Sequence, residues 1–161
     1  GLHGRTLGIV GLGGIGKEVV GRAKAFGMNI VVWSRSLTEE DASVLGVERC
    51  ESLLEVAKIS DVVTVHLAST PQTENIIDKK FLQAMQDGAT LINTSRGKVI
   101  DEIALVQAVQ EKKLSVGLDV YQNEPSSGSA KFFPTIISEP SVYGTHHIGA
   151  STSQAQEDCQ A

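Results

Sequence analysis

The 161-residue sequence is 41% hydrophobic and 20% charged, which suits one globular domain with one substantial core and leaves little room for a second. Its 14 Lys and Arg against 19 Asp and Glu give a formal charge of -5, without the basic stripe that a phosphate backbone attracts, so no nucleic-acid partner is expected. No run of roughly 18 uncharged apolar residues is present, so no membrane partner is expected either.

From the N-terminus, the apolar run at 7–10 reads as a strand and 15–26 as a helix closed by Phe26-Gly27. A strand follows at 30–33, then helices at 38–45 and 51–57 and a strand at 62–67. A helix at 79–85, the turn Asp87-Gly88, a strand at 89–93 and a helix at 102–112 come next. Strands at 116–120 and 141–143 complete the set, separated by a polar loop over 125–128. The strands are continuously apolar rather than alternating, the pattern of strands covered on both faces. Together with the intervening helices this predicts an α/β fold with a doubly wound parallel sheet. Cys50 and Cys159 have no metal-ligand or disulfide spacing, so two reduced thiols, a cytoplasmic location and no metal are expected; a mature secreted protein would read the same.

The first strand begins almost at once, and Ser151-Thr152-Ser153-Gln154 reads as a capping box for a helix that has barely started at Ala161. The expectation is a dinucleotide-binding domain over 1–150 and, over 151–161, the start of a helix leading into another domain.

The strand at 7–10 runs into Gly11-Leu12-Gly13-Gly14-Ile15-Gly16, and a helix follows. This order is the Rossmann-type dinucleotide fingerprint. Gly11 permits the tight turn, Gly13 lets a pyrophosphate approach the backbone, and Gly16 allows close helix packing, with the phosphates at the helix N-terminus. A methyltransferase also places a glycine loop after its first strand, but usually keeps an acid after the second for the ribose. About 20 residues beyond the glycines this chain instead reads Trp33-Ser34-Arg35-Ser36. No carboxylate stands there to repel a 2'-phosphate, while Arg35 can pair with one and Ser34 can donate to it. NADP is therefore read ahead of NAD, the competing reading being a solvated Arg35 with NAD bound.

Four further stretches occur in order after Thr6-Leu7-Gly8-Ile9-Val10-Gly11. They are Asn93-Thr94-Ser95-Arg96-Gly97, Gly117-Leu118-Asp119-Val120-Tyr121, Glu124-Pro125, and Thr145-His146-His147-Ile148-Gly149. The set closely resembles the D-2-hydroxyacid dehydrogenase family across nearly the whole chain. The resemblance implies a nucleotide domain inserted into a substrate domain that this sequence lacks, and a small 2-hydroxy or 2-oxo acid as substrate. It also implies that Arg96 holds the substrate carboxylate, that His147 exchanges the proton, and that Glu124 orients the imidazole. Asp119 would accept from the nicotinamide carboxamide, Leu67, Thr94 and Ser95 would line the cofactor, and Gly14 and Ile15 would meet the pyrophosphate. Residues around His147, including Gly149 and Ala150, would complete the cofactor site.

Two departures from the family are visible. His146 stands where the family usually has proline, giving two adjacent histidines, of which His147 is assigned the proton. Gly14 replaces a frequent arginine, which removes one phosphate contact. His66 is read as structural and His3 as solvated, and Gly97 as letting the backbone turn beside Arg96. The ending from His147 to Thr152, with Gln154-Ala155-Gln156, resembles phosphoglycerate dehydrogenases. Trp33-Ser34-Arg35 instead resembles glyoxylate or hydroxypyruvate reductases. A homodimer is implied by the family, and the alternative function is a dinucleotide-sensing module of the corepressor type. The domain alone is expected to bind cofactor with little turnover.

Overall fold

The computed structural model describes residues 1–125, 131–153 and 155. Part of the polar loop expected over 125–128 lies outside these residues, as do Gln154, Gln156, Cys159 and most of the helix expected over 151–161.

The chain alternates strands and helices: β1 (Thr6–Val10), α1 (Gly14–Ala25), β2 (Asn29–Trp33), α2 (Glu39–Leu45), β3 (Glu48–Arg49), α3 (Leu53–Ile59), β4 (Val62–Val65), α4 (Lys79–Ala84), β5 (Thr90–Asn93), α5 (Glu102–Lys112), β6 (Ser115–Leu118) and β7 (Val142–Gly144). The strands form one sheet in the order β3-β2-β1-β4-β5-β6-β7, and every neighbouring pair is parallel. This is the doubly wound sheet the sequence predicts.

Helix placement follows from the order. Winding proceeds outward from β1 to β3, then restarts at β4 and proceeds the other way. Crossovers of one hand moving in opposite directions put their helices on opposite faces. The burial pattern agrees. Leu7, Ile9, Ile30 and Val32 pack with Val20 and Ala23 of α1 and Ala42 of α2 in one apolar layer. Val10, Val31, Val63, Val65 and Leu91 face the other layer, with Val56, Phe81, Leu82, Leu105 and Val109 from α3, α4 and α5. Burial on both faces is why these strands read as unbroken apolar runs.

Several boundaries differ from the sequence reading, each for a local reason. β3 was not anticipated: it has two residues, Glu48 and Arg49, and no apolar signal. α3 starts two residues later than expected because Ser52 is its N-cap, the hydroxyl accepting from Glu55 N–H at 3.2 Å. β4 ends at Val65; His66 N–H still bonds to the Val10 carbonyl at 2.8 Å, and the chain then passes beside Gly11. β6 stops at Leu118, so Asp119 and Val120 belong to the following loop.

Side-chain caps also distinguish the helices. Thr38, Ser52, Asp78 and Asp101 cap α2, α3, α4 and α5, contacts worth about 1 kcal/mol each. α1 has Gly13 at its N-cap, hence no side-chain cap, and no acidic residue in its first turn. Its first amides are left for another acceptor.

Candidate active site

The strands are all parallel, so the loops at their C-terminal ends collect along one edge. Strand order reverses between β1 and β4, and that break is where α/β sheets bind ligands. The glycine turn lies there. Gly11 adopts φ +93°, and a Cβ at this position would stand 2.4 Å from the His66 carbonyl oxygen. At Gly16 a Cβ would meet the Gly11 carbonyl oxygen at 2.6 Å. Both positions demand glycine, one by conformation and contact, the other by contact alone. Among the described residues, no atom beyond their chain neighbours lies within 4 Å of a Cβ built at Gly13 or Gly14, which leaves open space in front of the uncapped amides. Exposed Ile15 beside them completes a cradle that fits a pyrophosphate. Leu67 is half-buried against Gly11 from the β4 side.

Beyond β2, Ser34 is half-buried and Arg35 exposed. A depression at this end of the sheet is lined by Leu12, Lys17, Ser34, Ser36, Leu37 and Asp41, among others. Asp41 is already engaged there, accepting from the Thr38 hydroxyl at 2.7 Å.

A second cleft brings together the three residues assigned to the reaction. Arg96 follows β5, Glu124 follows β6 and His147 follows β7; all three line one space with Ser69, Gly97, Lys98, Val120, Tyr121 and Gln122. His147 Nδ1 lies 2.8 Å from Glu124 Oε2. A carboxylate can only accept, so Nδ1 carries the hydrogen and Nε2 is left to face the cleft. The Arg96 side chain is exposed, and its Nη1 donates to the Ser95 carbonyl at 2.6 Å, with no carboxylate partner among the described residues. His146 is exposed, makes no side-chain hydrogen bond among the described residues, and does not line this cleft.

The loops carrying these residues are held from beneath by buried polar groups. Asn93, 1% exposed, donates to the Arg96 carbonyl at 3.0 Å and accepts from the backbone and hydroxyl of Ser95. Thr94 is exposed on the same loop. Tyr121 ties the other side together. Its N–H donates to Glu124 Oε1, and its hydroxyl donates to the Thr145 carbonyl at 2.9 Å. Burial, then the nearby Asp119, Glu124 and Glu102 carboxylates, raise the phenol above its ordinary pKa and keep it a donor. The backbone does turn at Gly97, which opens a single 3-10 turn over Gly97–Val99, but the turn is not what demands glycine. The φ of Gly97 is not positive; instead, a Cβ there would lie 1.9 Å from the Tyr121 carbonyl oxygen, so glycine is needed for loop contact.

Asp119 is 6% exposed and lies close enough to His147 to feel its charge. Its carboxylate accepts from the Thr145 hydroxyl and from the N–H groups of Ile148 and Gly149. Burial pushes its pKa up, but these three bonds and the nearby His147 outweigh burial, and the net shift is downward. Ala150 is exposed just past Gly149. His66 stays apart from the cleft: its Nε2 meets the Thr64 hydroxyl at 3.0 Å, and burial lowers its pKa.

Asn93, Thr145 and Tyr121 were not singled out from the sequence. The available signal was a polar residue closing an apolar run, as at Asn93, and the presence of Thr145 and Tyr121 inside the quoted family stretches.

Residues 1–149 match the family model described as D-isomer specific 2-hydroxyacid dehydrogenase, NAD binding domain. The chain is 41% identical over 157 residues to a D-3-phosphoglycerate dehydrogenase of Methanocaldococcus jannaschii, covering 97% of this chain and 29% of that protein. Among solved structures, the glyoxylate reductase from Paecilomyes thermophila superposes with a TM-score of 0.85 at 42% identity, over 99% of this chain and 47% of that one. D-Lactate dehydrogenase from Aquifex aeolicus, complexed with NAD and lactic acid, gives a TM-score of 0.83 at 35% identity, over 95% of this chain and 49% of that one. The chain thus spans half or less of the length of these relatives.

Proposed function

This chain belongs to the D-isomer-specific 2-hydroxyacid dehydrogenases as their NAD-binding domain, and on that premise we propose that its protein interconverts a 2-hydroxy acid and the matching 2-oxo acid. The observation that carries this reading is the 2.8 Å contact between His147 Nδ1 and Glu124 Oε2, in one cleft with Arg96. When bound, the nicotinamide supplies or accepts the hydride. Arg96 grips the substrate carboxylate with its planar fork. His147 gives its Nε2 proton to the carbonyl oxygen as the hydride arrives, and takes it back in the reverse direction. Glu124 fixes the ring and stabilises its charged form.

In the intact protein, His147→Ala is expected to cut kcat on the order of 10²- to 10⁴-fold, the usual contribution of a general acid. His146→Ala should leave most turnover in place. Loss of turnover with His146→Ala but not His147→Ala would refute the assignment. The substrate is read as a small 2-hydroxy acid of the 3-phosphoglycerate or glyoxylate and hydroxypyruvate type; turnover of 3-phosphoglycerate against glyoxylate separates the branches. The dehydrogenase and reductase relatives support an enzyme, and nothing in them favours the corepressor alternative.

We read the cofactor as NADP ahead of NAD. The support is the missing carboxylate after β2, the exposed Arg35, and Lys17 in the adjoining depression. Arg35→Ala should weaken NADPH binding by about tenfold or more, as loss of a charged hydrogen bond does, and leave NADH unchanged. Tighter binding of NADH than NADPH by the parent chain would sink this preference.

We assign 1–150 to the dinucleotide-binding domain and 151–161 to the helix returning toward the substrate domain. The Thr152 hydroxyl, accepting from Ala155 N–H at 3.1 Å, supports a helix start there. The family resemblance supports a homodimer, and the free thiol of Cys50 supports a cytoplasmic location.

A further inference from the structure

His147 has φ +60°, in the left-handed region that a residue with a Cβ adopts at a cost. Glu124 orients the ring, but a contact to a ring nitrogen does not determine the backbone angle behind it. The groups that do are on either side. Asp119 Oδ1 accepts from the Thr145 hydroxyl at 2.6 Å and from Ile148 N–H at 2.9 Å, while Oδ2 accepts from Gly149 N–H at 2.9 Å. The turn from 145 to 149 is therefore wrapped around one carboxylate. Its base is rigid: Asp119 N–H donates to the Asn93 carbonyl, and Thr145 N–H to the Leu118 carbonyl. A Cβ at Gly149 would stand 2.8 Å from Oδ2, so the fit allows no larger residue there without movement.

We propose that Asp119 is a positioning residue for His147: its carboxylate fastens the backbone on both sides of that residue and holds the left-handed conformation that delivers the imidazole to Glu124. A carboxylate is required because three donors converge on it. It offers about four acceptor sites, so a single one remains, on Oδ2, for the cofactor contact implied by the family resemblance. One side chain then registers the proton donor against the nicotinamide. This role rests on reading His147 as the proton donor.

The test begins with the 161-residue chain and no cofactor. Side-chain 15N spectra at mildly alkaline pH report which ring nitrogen of His147 carries the hydrogen. The parent should show Nδ1–H, locked by Glu124. Asp119→Asn offers one acceptor oxygen in place of two and points an amide donor at a backbone N–H. It should release the ring to the mixed tautomer signal of a free imidazole. A folded Asp119→Asn chain that keeps the Nδ1–H signature overturns the proposal. If Asp119→Asn does not fold, Thr145→Val removes one of the three bonds, and a partial release of the same signal is expected; an unchanged signal again overturns the proposal. In the intact enzyme, Asp119→Asn should lower kcat about a hundredfold, the effect of a small misplacement of a reacting group, with the KM for the 2-oxo acid held by Arg96. A raised KM at constant kcat would count against it. Failure of the underlying reading shows differently: His147→Ala would then keep its turnover, while the tautomer spectra still judge Asp119.

Discussion

Gly97 shows how strongly one missing carbon shapes the cleft. The backbone after Arg96 lies against the backbone at Tyr121, and a Cβ at 97 would stand 1.9 Å from the Tyr121 carbonyl oxygen and 2.7 Å from the Gln122 nitrogen. Backbone atoms cannot step aside as a side chain can. Gly97→Ala is therefore expected to destabilise the chain by about 1–3 kcal/mol, the range for overpacking, measured as a shift in the urea midpoint. Turnover of the intact protein should fall as well, because the displaced segment leads directly to Glu124. An unchanged midpoint would mean that the two loops separate without cost. At this scale the sequence was partly legible. Arg96, Glu124 and His147 stood out through residue type and order. The groups beneath them did not, because Asn93, Tyr121 and Asp119 act mainly on backbone atoms, and bonds to backbone leave no pattern of side-chain types. Asp119 was visible only in its outward role toward the cofactor.

Among the elements, legibility followed burial. β1, β2, β4, β5 and β6 are apolar runs, and each was placed to within two residues at either end. β3 escaped notice because its pairing to β2 involves only backbone of the polar residues Glu48 and Arg49. That short edge nevertheless shapes the chemistry of Cys50, which follows it, is 2% exposed, and bonds through its N–H to the Val32 carbonyl. Burial, with Glu55 and Glu48 nearby, pushes the thiol up to about 11. Only the thiolate attacks, so at pH 8 the reactive fraction is on the order of 10⁻³ before access is considered. In a Cys159→Ser background, a colorimetric thiol reagent should therefore label Cys50 only as fast as the chain unfolds in urea. Rapid labelling of the native chain would show that the β2, β3 and α3 packing opens on its own.

At the scale of the whole molecule, one strand order sets out the entire site. Outward winding from β1 brings the loop after β2 to one flank, and the loops after β5, β6 and β7 to the other. The cleft that holds Arg96, Glu124 and His147 is open, and the His147 side chain is 51% exposed. The 161-residue chain should thus bind dinucleotide in a calorimetric titration yet turn over 2-oxo acids poorly, since water would reach the proposed proton donor and substrate would be held from one face. Robust turnover by this chain alone would contradict that view. The same strand order has a consequence for redesign. The residues proposed to govern cofactor choice lie after β2, in and beside the depression there, and those proposed to exchange the proton lie beyond β5. On that proposal, exchanging the segment from Ser34 to Ser36 is expected to change cofactor choice and leave the pairing of His147 with Glu124 in place. Cofactor choice and proton exchange, placed on opposite flanks of one sheet, would then be free to be engineered, or to diverge among descendants, independently.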